Sequence, residues 1–309
     1  GSTGTDSKTQ ILLGTIPLLY ASDLNDIMVI GLGTGMTLSS VLDFPVGEID
    51  CLEISSAVVE AASYFQEDTD NVLKSRKTNL HILDGRTWLK SMNKNYNVIT
   101  SEPSHPWQTG NANLFTQDFF KIARKRLTKN GIFCQWLPYY RLQPKHLKIL
   151  FNTYHKNFSY VNVWLINTDL ILIGSNSPLT INYERLKKHM SLPSVKSSLN
   201  KIGIDKTSDL LSFFYLNTKA VNSYIQNVDT INSDVHPIIE FQAPKILTKK
   251  TDTDIFLNIL ELSFNAQLPL TNCQNIRSVR RDRIYNRAKY YRAWHIPKNI
   301  YEYMLRQSL

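Results

Sequence analysis

Residues Ile27 to Gly35 read IMVIGLGTG. Four apolar residues run directly into three glycines at alternate positions, Gly31, Gly33 and Gly35. The run predicts a buried strand, and the glycines predict a turn whose backbone can approach a ligand closely. The spacing is G-x-G-x-G, with Met36 next. The dinucleotide fingerprint places its third glycine one residue later, which disfavours NAD.

Working outward, the next apolar strand run, Ile49 to Leu52, ends in Glu53, 18 residues after Gly35. A carboxylate at that place can accept from both hydroxyls of an unphosphorylated ribose. The third run, Leu80 to Leu83, ends in Asp84 and Gly85, where an acid can accept from the exocyclic amine of adenine. Either acid alone would also suit a helix N-cap. Three ligand-facing groups at three successive strand ends describe a crevice at the carboxyl edge of an open α/β sheet. The set points to a nucleoside.

Strand-length runs continue at Tyr96–Thr100, Gly131–Trp136, Phe158–Leu165 and Leu170–Ile173. Helical patterns lie between them at Ser55–Phe65, Arg86–Met92, Thr116–Leu127 and Pro144–His155. This alternation predicts a Rossmann-like, mostly parallel sheet covered on both faces. The last two runs are close in sequence and predict an antiparallel hairpin at one edge. After Ser177 the alternation stops. Tyr183 to about Tyr224 reads as helical, INSDVHPIIEFQAPK (231–245) as extended, and Asp252 to Leu309 as helical. The expected organisation is an N-terminal segment (1–25), a nucleoside-binding domain (26–180), a mainly helical continuation (181–250) and a basic helical tail (251–309).

Composition bounds the rest. The chain has 309 residues, is 42% hydrophobic and carries a net charge of +9. No apolar run approaches the roughly 18 residues of a membrane span, and no basic-then-apolar secretory signal is present. Gly1-Ser2 has the look of a cloning remnant. Cys51, Cys134 and Cys273 are far apart, which predicts free thiols in a reducing, cytosolic setting. Charge concentrates in Arg277–Arg292, seven Arg or Lys against one Asp, interleaved with tyrosines. That segment could meet nucleic acid or an anionic membrane, or form a solvated helix face over packed tyrosines.

The fourth run delivers SEPSHPW, Ser101 to Trp107. It sets Glu102 and His105 three apart on a loop stiffened by Pro103 and Pro106. With the glycine turn, Glu53, Asp84 and this loop, the chain resembles the spermidine synthase family. These are aminopropyltransferases on the fold of class I S-adenosylmethionine-dependent methyltransferases. It is most similar to the soluble part of bacterial spermidine synthase-like proteins, some of which are fused to membrane segments. The resemblance lies in VIGLGTG, CLEISSAVVEAASYF, HILDGRTWL, YNVITSEPSHPW, LFTQDFF and LTKNGIFCQWLPYY, with an echo in INSDVHPIIEFQAP, and covers about residues 3 to 247.

The resemblance implies that Gly31, Gly33 and Gly35 line the sulfonium and ribose, Glu53 the ribose hydroxyls, and Asp84 with Gly85 the adenine. Gln10 matches a glutamine near the thioether nucleoside. The co-substrate would be decarboxylated S-adenosylmethionine or S-adenosylmethionine, without a metal, and the acceptor a putrescine-like amine. The family carries an aspartate where Glu102 stands, a catalytic aspartate at His105, and a tyrosine near the diamine at Thr9. The transfer is an SN2 attack by an amine that is protonated at neutral pH, since an alkylammonium titrates near ~10.4. Glu102 could hold a cation and His105 could be the base, with a neighbouring carboxylate expected to raise its pKa. A methyltransferase, or a nucleoside-binding protein without aminopropyl transfer, remains as an alternative. A homodimer also stays open. The expected location is the cytoplasm, as a free protein or as the cytosolic part of a membrane-anchored one.

Overall fold

The computed structural model describes residues 4, 6–246, 252–292 and 298–308. Gly1-Ser2, and the stretches 247–251 and 293–297 of the expected continuation and tail, lie outside the described residues. The apolar runs form β1 (Asp26–Ile30), β2 (Glu48–Glu53), β3 (Thr78–Ile82), β4 (Tyr96–Ser101) and β5 (Leu127–Pro138), all parallel to one another. The expected hairpin is β6 (Tyr160–Ile166) and β7 (Asp169–Ser175). The crossovers are α2 (Met36–Leu42), α3 (Ser56–Ala62), α4 (Gly85–Ser91), α5 (Gln117–Lys125) and α6 (Pro144–His155), preceded by α1 (Ser7–Tyr20).

The N-terminal segment is part of the core. Every residue of α1 from Thr9 to Tyr20 is buried. A helix apolar all round is one covered on all sides, and α1 lies between the sheet and α2. A Cβ on Gly14 would stand 2.5 Å from the Thr37 carbonyl oxygen. Glycine therefore lets the two helices touch, which brings Thr9 and Gln10 of α1 beside Thr37 of α2.

Beyond the hairpin the chain departs from the helical reading. After β8 (Ile181–Asn182) come α7 (Tyr183–Met190), α8 (Pro193–Lys201) and α9 (Thr207–Leu211), then a strand, β9 (Phe214–Leu216), and α10 (Thr218–Tyr224). The sheet order is β3-β2-β1-β4-β5-β7-β6-β9. The hairpin is thus followed by an eighth strand, antiparallel to β6. Three buried residues, Phe-Tyr-Leu, carry no alternation to betray a strand. The segment read as extended is instead an irregular loop and a helix, α11 (Ile238–Gln242). Asn232 and Asp234 hold that loop against the core, through Asn232 Nδ2 to the Phe115 carbonyl (3.0 Å) and Asp234 to Thr116 Oγ1 (2.7 Å). The helix starts once Pro237 is passed.

The tail forms α12 (Asp252–Asn265), β10 (Leu270–Thr271), α13 (Ile276–Arg292) and α14 (Lys298–Ser308). It packs onto the sheet domain: β10 pairs with β8, and α12 covers β9. Two arginines of the basic segment, Arg283 and Arg287, are buried. Arg287 donates to the Ser212 carbonyl (2.9 Å), to Ser263 Oγ (2.8 Å) and to the Phe214 carbonyl, and its guanidinium lies 3.9 Å over the Tyr215 ring. It ties the tail to the edge strand. No helix among the described residues is long and apolar enough to cross a membrane.

Candidate active site

The strand order reverses between β1 and β4, and an open α/β sheet binds ligands at such a switch point. Here the ladder continues one residue past each strand. The amide of Gly31 donates to the Leu52 carbonyl (2.8 Å), that of Leu83 to Glu53 (2.9 Å) and that of Glu102 to Ile30 (2.9 Å). Gly31, Glu53, Asp84 and Glu102 are thereby set along one rim. They border a cavity of about 740 Å³, a volume typical of small-molecule sites. Every residue expected at the site lines it except Gly35. Gly35 is the N-cap of α2, one turn behind the wall. Gly31 has φ +94°, and a Cβ there would meet the Glu102 carbonyl oxygen at 2.6 Å. Only glycine allows β1 and the Glu102 loop to close together.

At one end of the cavity Glu53 is nearly buried, at 8% exposure. One carboxylate oxygen accepts from the Leu32 amide and the other from the Ser55 amide, both at 3.0 Å. The group is fixed, and each oxygen keeps a lone pair for a hydroxyl. Asp84 is the N-cap of α4. Its Oδ1 accepts from the Thr87 amide and hydroxyl, both at 2.7 Å. The capping role and a place on the cavity wall are compatible, because Asp84 has a second oxygen.

The other end is acidic and aromatic. Glu102 accepts from Thr37 Oγ1 at 2.5 Å, and Gln10 also bonds to it. Burial pushes its carboxyl up to about 7, against the pull of those two donors. Asp169, the first residue of β7, accepts from Thr9 Oγ1 at 2.8 Å. The Trp136 indole is a second donor, and burial pushes Asp169 up to about 6. His105 does not behave as expected. Its pKa is lowered, first by desolvation and then by the positive charge of Arg141. No carboxylate offsets this, because the ring turns to Tyr140 instead: Nε2 lies 2.8 Å from the Tyr140 hydroxyl. The ring also packs on Trp107 at 4.8 Å and edge-on to Trp136 at 5.9 Å.

Five carboxylates border the cavity, those of Asp6, Glu53, Asp84, Glu102 and Asp169; among the described lining residues none is Lys or Arg. Such a wall attracts cations and repels anions. Among the described residues no group of three His, Cys, Asp or Glu side chains could hold a metal ion. Sequence reasoning missed Thr37, Trp136, Tyr140 and Asp169. Trp136 and Tyr140 stand in the LTKNGIFCQWLPYY run, but Asp169 begins β7 just past the hairpin turn, where only the fold brings it to the site.

The sequence model of the spermine/spermidine synthase domain matches residues 8–176. The chain belongs to that family. A polyamine aminopropyltransferase from Clostridium botulinum is 27% identical over 136 residues, 43% of this chain and 48% of the relative. One from Buchnera aphidicola is 24% identical over 214 residues, 67% of this chain and 71% of that one. The chain spans about half the length of the clostridial relative. A solved spermidine synthase in complex with the transition state analogue AdoDATO aligns at 20% identity. It covers 63% of this chain and 76% of its own, with a TM-score of 0.51, and shows a shared fold. The spermine/spermidine synthase match ends at residue 176, so it takes in β7 and Asp169 but neither β9 nor the tail.

Proposed function

We propose that the chain transfers an aminopropyl group from decarboxylated S-adenosylmethionine to an amine such as putrescine. One observation carries this reading: a single cavity joins a nucleoside end, Glu53 and Asp84, to an acidic end, Glu102 and Asp169. The ribose hydroxyls would bond to Glu53 and the adenine amine to Asp84. The spermidine synthase bound to AdoDATO supports an adenosyl co-substrate in this crevice. The charge of the lining favours the decarboxylated form. Intact S-adenosylmethionine would bring a carboxylate to a wall of carboxylates, whereas the aminopropyl arm brings an ammonium.

In the reaction the acceptor nitrogen forms a bond to the carbon beside the sulfonium, and the carbon–sulfur bond breaks. The leaving methylthioadenosine is neutral and needs no acid. The acceptor must first lose a proton. Glu102 is suited to take it, since a carboxyl raised to about 7 is a base poised near operating pH. His105, kept neutral by burial and held by Tyr140, walls the acceptor and positions the loop.

The test is a mass-spectrometric assay of the purified chain with decarboxylated S-adenosylmethionine and putrescine. The reading expects spermidine and methylthioadenosine in equal amounts. Consumption of S-adenosylmethionine to give S-adenosylhomocysteine and a methylated acceptor, or no product with any diamine, overturns it.

A further inference from the structure

The His105 position brings no negative charge to the acceptor end, yet that end holds a second carboxylate from elsewhere in the fold. Asp169 begins β7, next to the end of β5 through the Pro138–Asp169 pair. Thr9 of α1 donates to it at 2.8 Å, and Trp136 of β5 donates as well. Three separate elements therefore hold one carboxylate in place. Trp136 and Tyr140 border the same cavity.

Two partly buried carboxylates, Glu102 and Asp169, share this end, and among the described residues neither is bridged by Lys or Arg. A desolvated carboxylate is costly unless a cation or strong donors compensate it. Neutral donors supply part of that compensation here, and among the described residues no Lys or Arg pairs with either carboxylate. A ligand cation placed against aromatic faces would supply it.

We infer that Asp169 anchors the distal ammonium of the acceptor, while Glu102 faces its reacting nitrogen. Asp169, contributed by the hairpin, thus selects for a second positive charge on the acceptor. The inference rests on the aminopropyl-transfer reading for the acceptor's identity, but it concerns binding and is tested by binding.

The experiment titrates putrescine and 1-aminobutane, which share a four-carbon chain and differ by the second amino group, into the full chain saturated with methylthioadenosine. Wild type should bind putrescine about tenfold to a hundredfold more tightly than 1-aminobutane, the worth of a charge-assisted hydrogen bond. Asp169→Asn should lose that preference and leave methylthioadenosine binding unchanged. Should Asp169→Asn fail to fold, Thr9→Val, which removes the hydroxyl that holds Asp169, should weaken the same preference, and an undiminished preference there counts against the anchor. Equal binding of the two amines by wild type, an undiminished preference in Asp169→Asn, or no binding of putrescine at all overturns the assignment. If wild type shows the preference and the variant loses it, but no spermidine forms, the reading of the reaction falls and the anchor stands.

Discussion

Removing the charge of Glu102 should make the protein more stable in alkali. Burial raises this carboxyl from an ordinary 4.5 to about 7, so the folded state holds its proton more tightly than the unfolded chain does. Stability from a group of this kind is fully present below the unfolded pKa and is lost as pH rises through the folded one. That rise corresponds to about 3 kcal/mol at full ionisation. Because part of the side chain reaches the cleft, solvent reduces this to about 1–3 kcal/mol. Glu102→Gln cannot ionise. Its stability relative to wild type should therefore rise by that amount between pH 4.5 and pH 8.5, most of it between pH 5 and 7.5. Chemical denaturation of both proteins across that range measures the effect, and comparing the two cancels all other titrating groups. Putrescine, which favours the ionised carboxylate, should narrow the gap at pH 8.5. A wild-type-minus-variant difference that stays flat with pH, or that slopes the other way, would refute the argument that Glu102 is a desolvated carboxyl in search of a cation.

The same ionisations set the rate. Transfer under kcat/KM conditions should climb from pH 5 to pH 8 as Asp169, near 6, and Glu102, near 7, lose their protons; a rate that falls over this interval contradicts their roles. Gly31→Ala places a Cβ against the Glu102 carbonyl at a left-handed φ. It should cost roughly 1–3 kcal/mol of stability and weaken methylthioadenosine binding, and unchanged calorimetry and melting would count against the closed rim. Arg287→Met strands the Ser212 and Phe214 carbonyls. It should destabilise by about 2–4 kcal/mol while the folded variant keeps its nucleoside affinity, since no described tail residue lines the cavity.

The legible parts of this chain were those governed by local pattern. Buried parallel strands read as short apolar runs, so β1 to β5 were found within a few residues of their ends. The acids at or just past the ends of β2, β3 and β4 are visible because each ends a run. Pro144, at the first position of α6, marked its start. What stayed hidden depends on long-range pairing. β9 is three residues long and becomes a strand only because β6 offers an edge. Arg283 and Arg287 look like a solvated face in sequence, yet both are buried: Arg287 donates to the Ser212 and Phe214 carbonyls, and Arg283 lies over the Phe214 ring. Asp169 reads as an ordinary turn residue until β7 is laid beside β5 and α1 is folded under both. His105 was expected beside a carboxylate because Glu102 is three residues away; the loop instead sends its ring to Tyr140, 35 residues on.

The rim formed by Gly31, Glu53 and Asp84 should hold a thioether adenosine and not a dinucleotide. Calorimetric titration of the purified chain with methylthioadenosine, decarboxylated S-adenosylmethionine, S-adenosylmethionine and NAD tests it most directly. Methylthioadenosine should bind, decarboxylated S-adenosylmethionine should bind more strongly than the intact form, and NAD should not compete. Binding of NAD on equal terms, or no binding of any adenosine thioether, would contradict it.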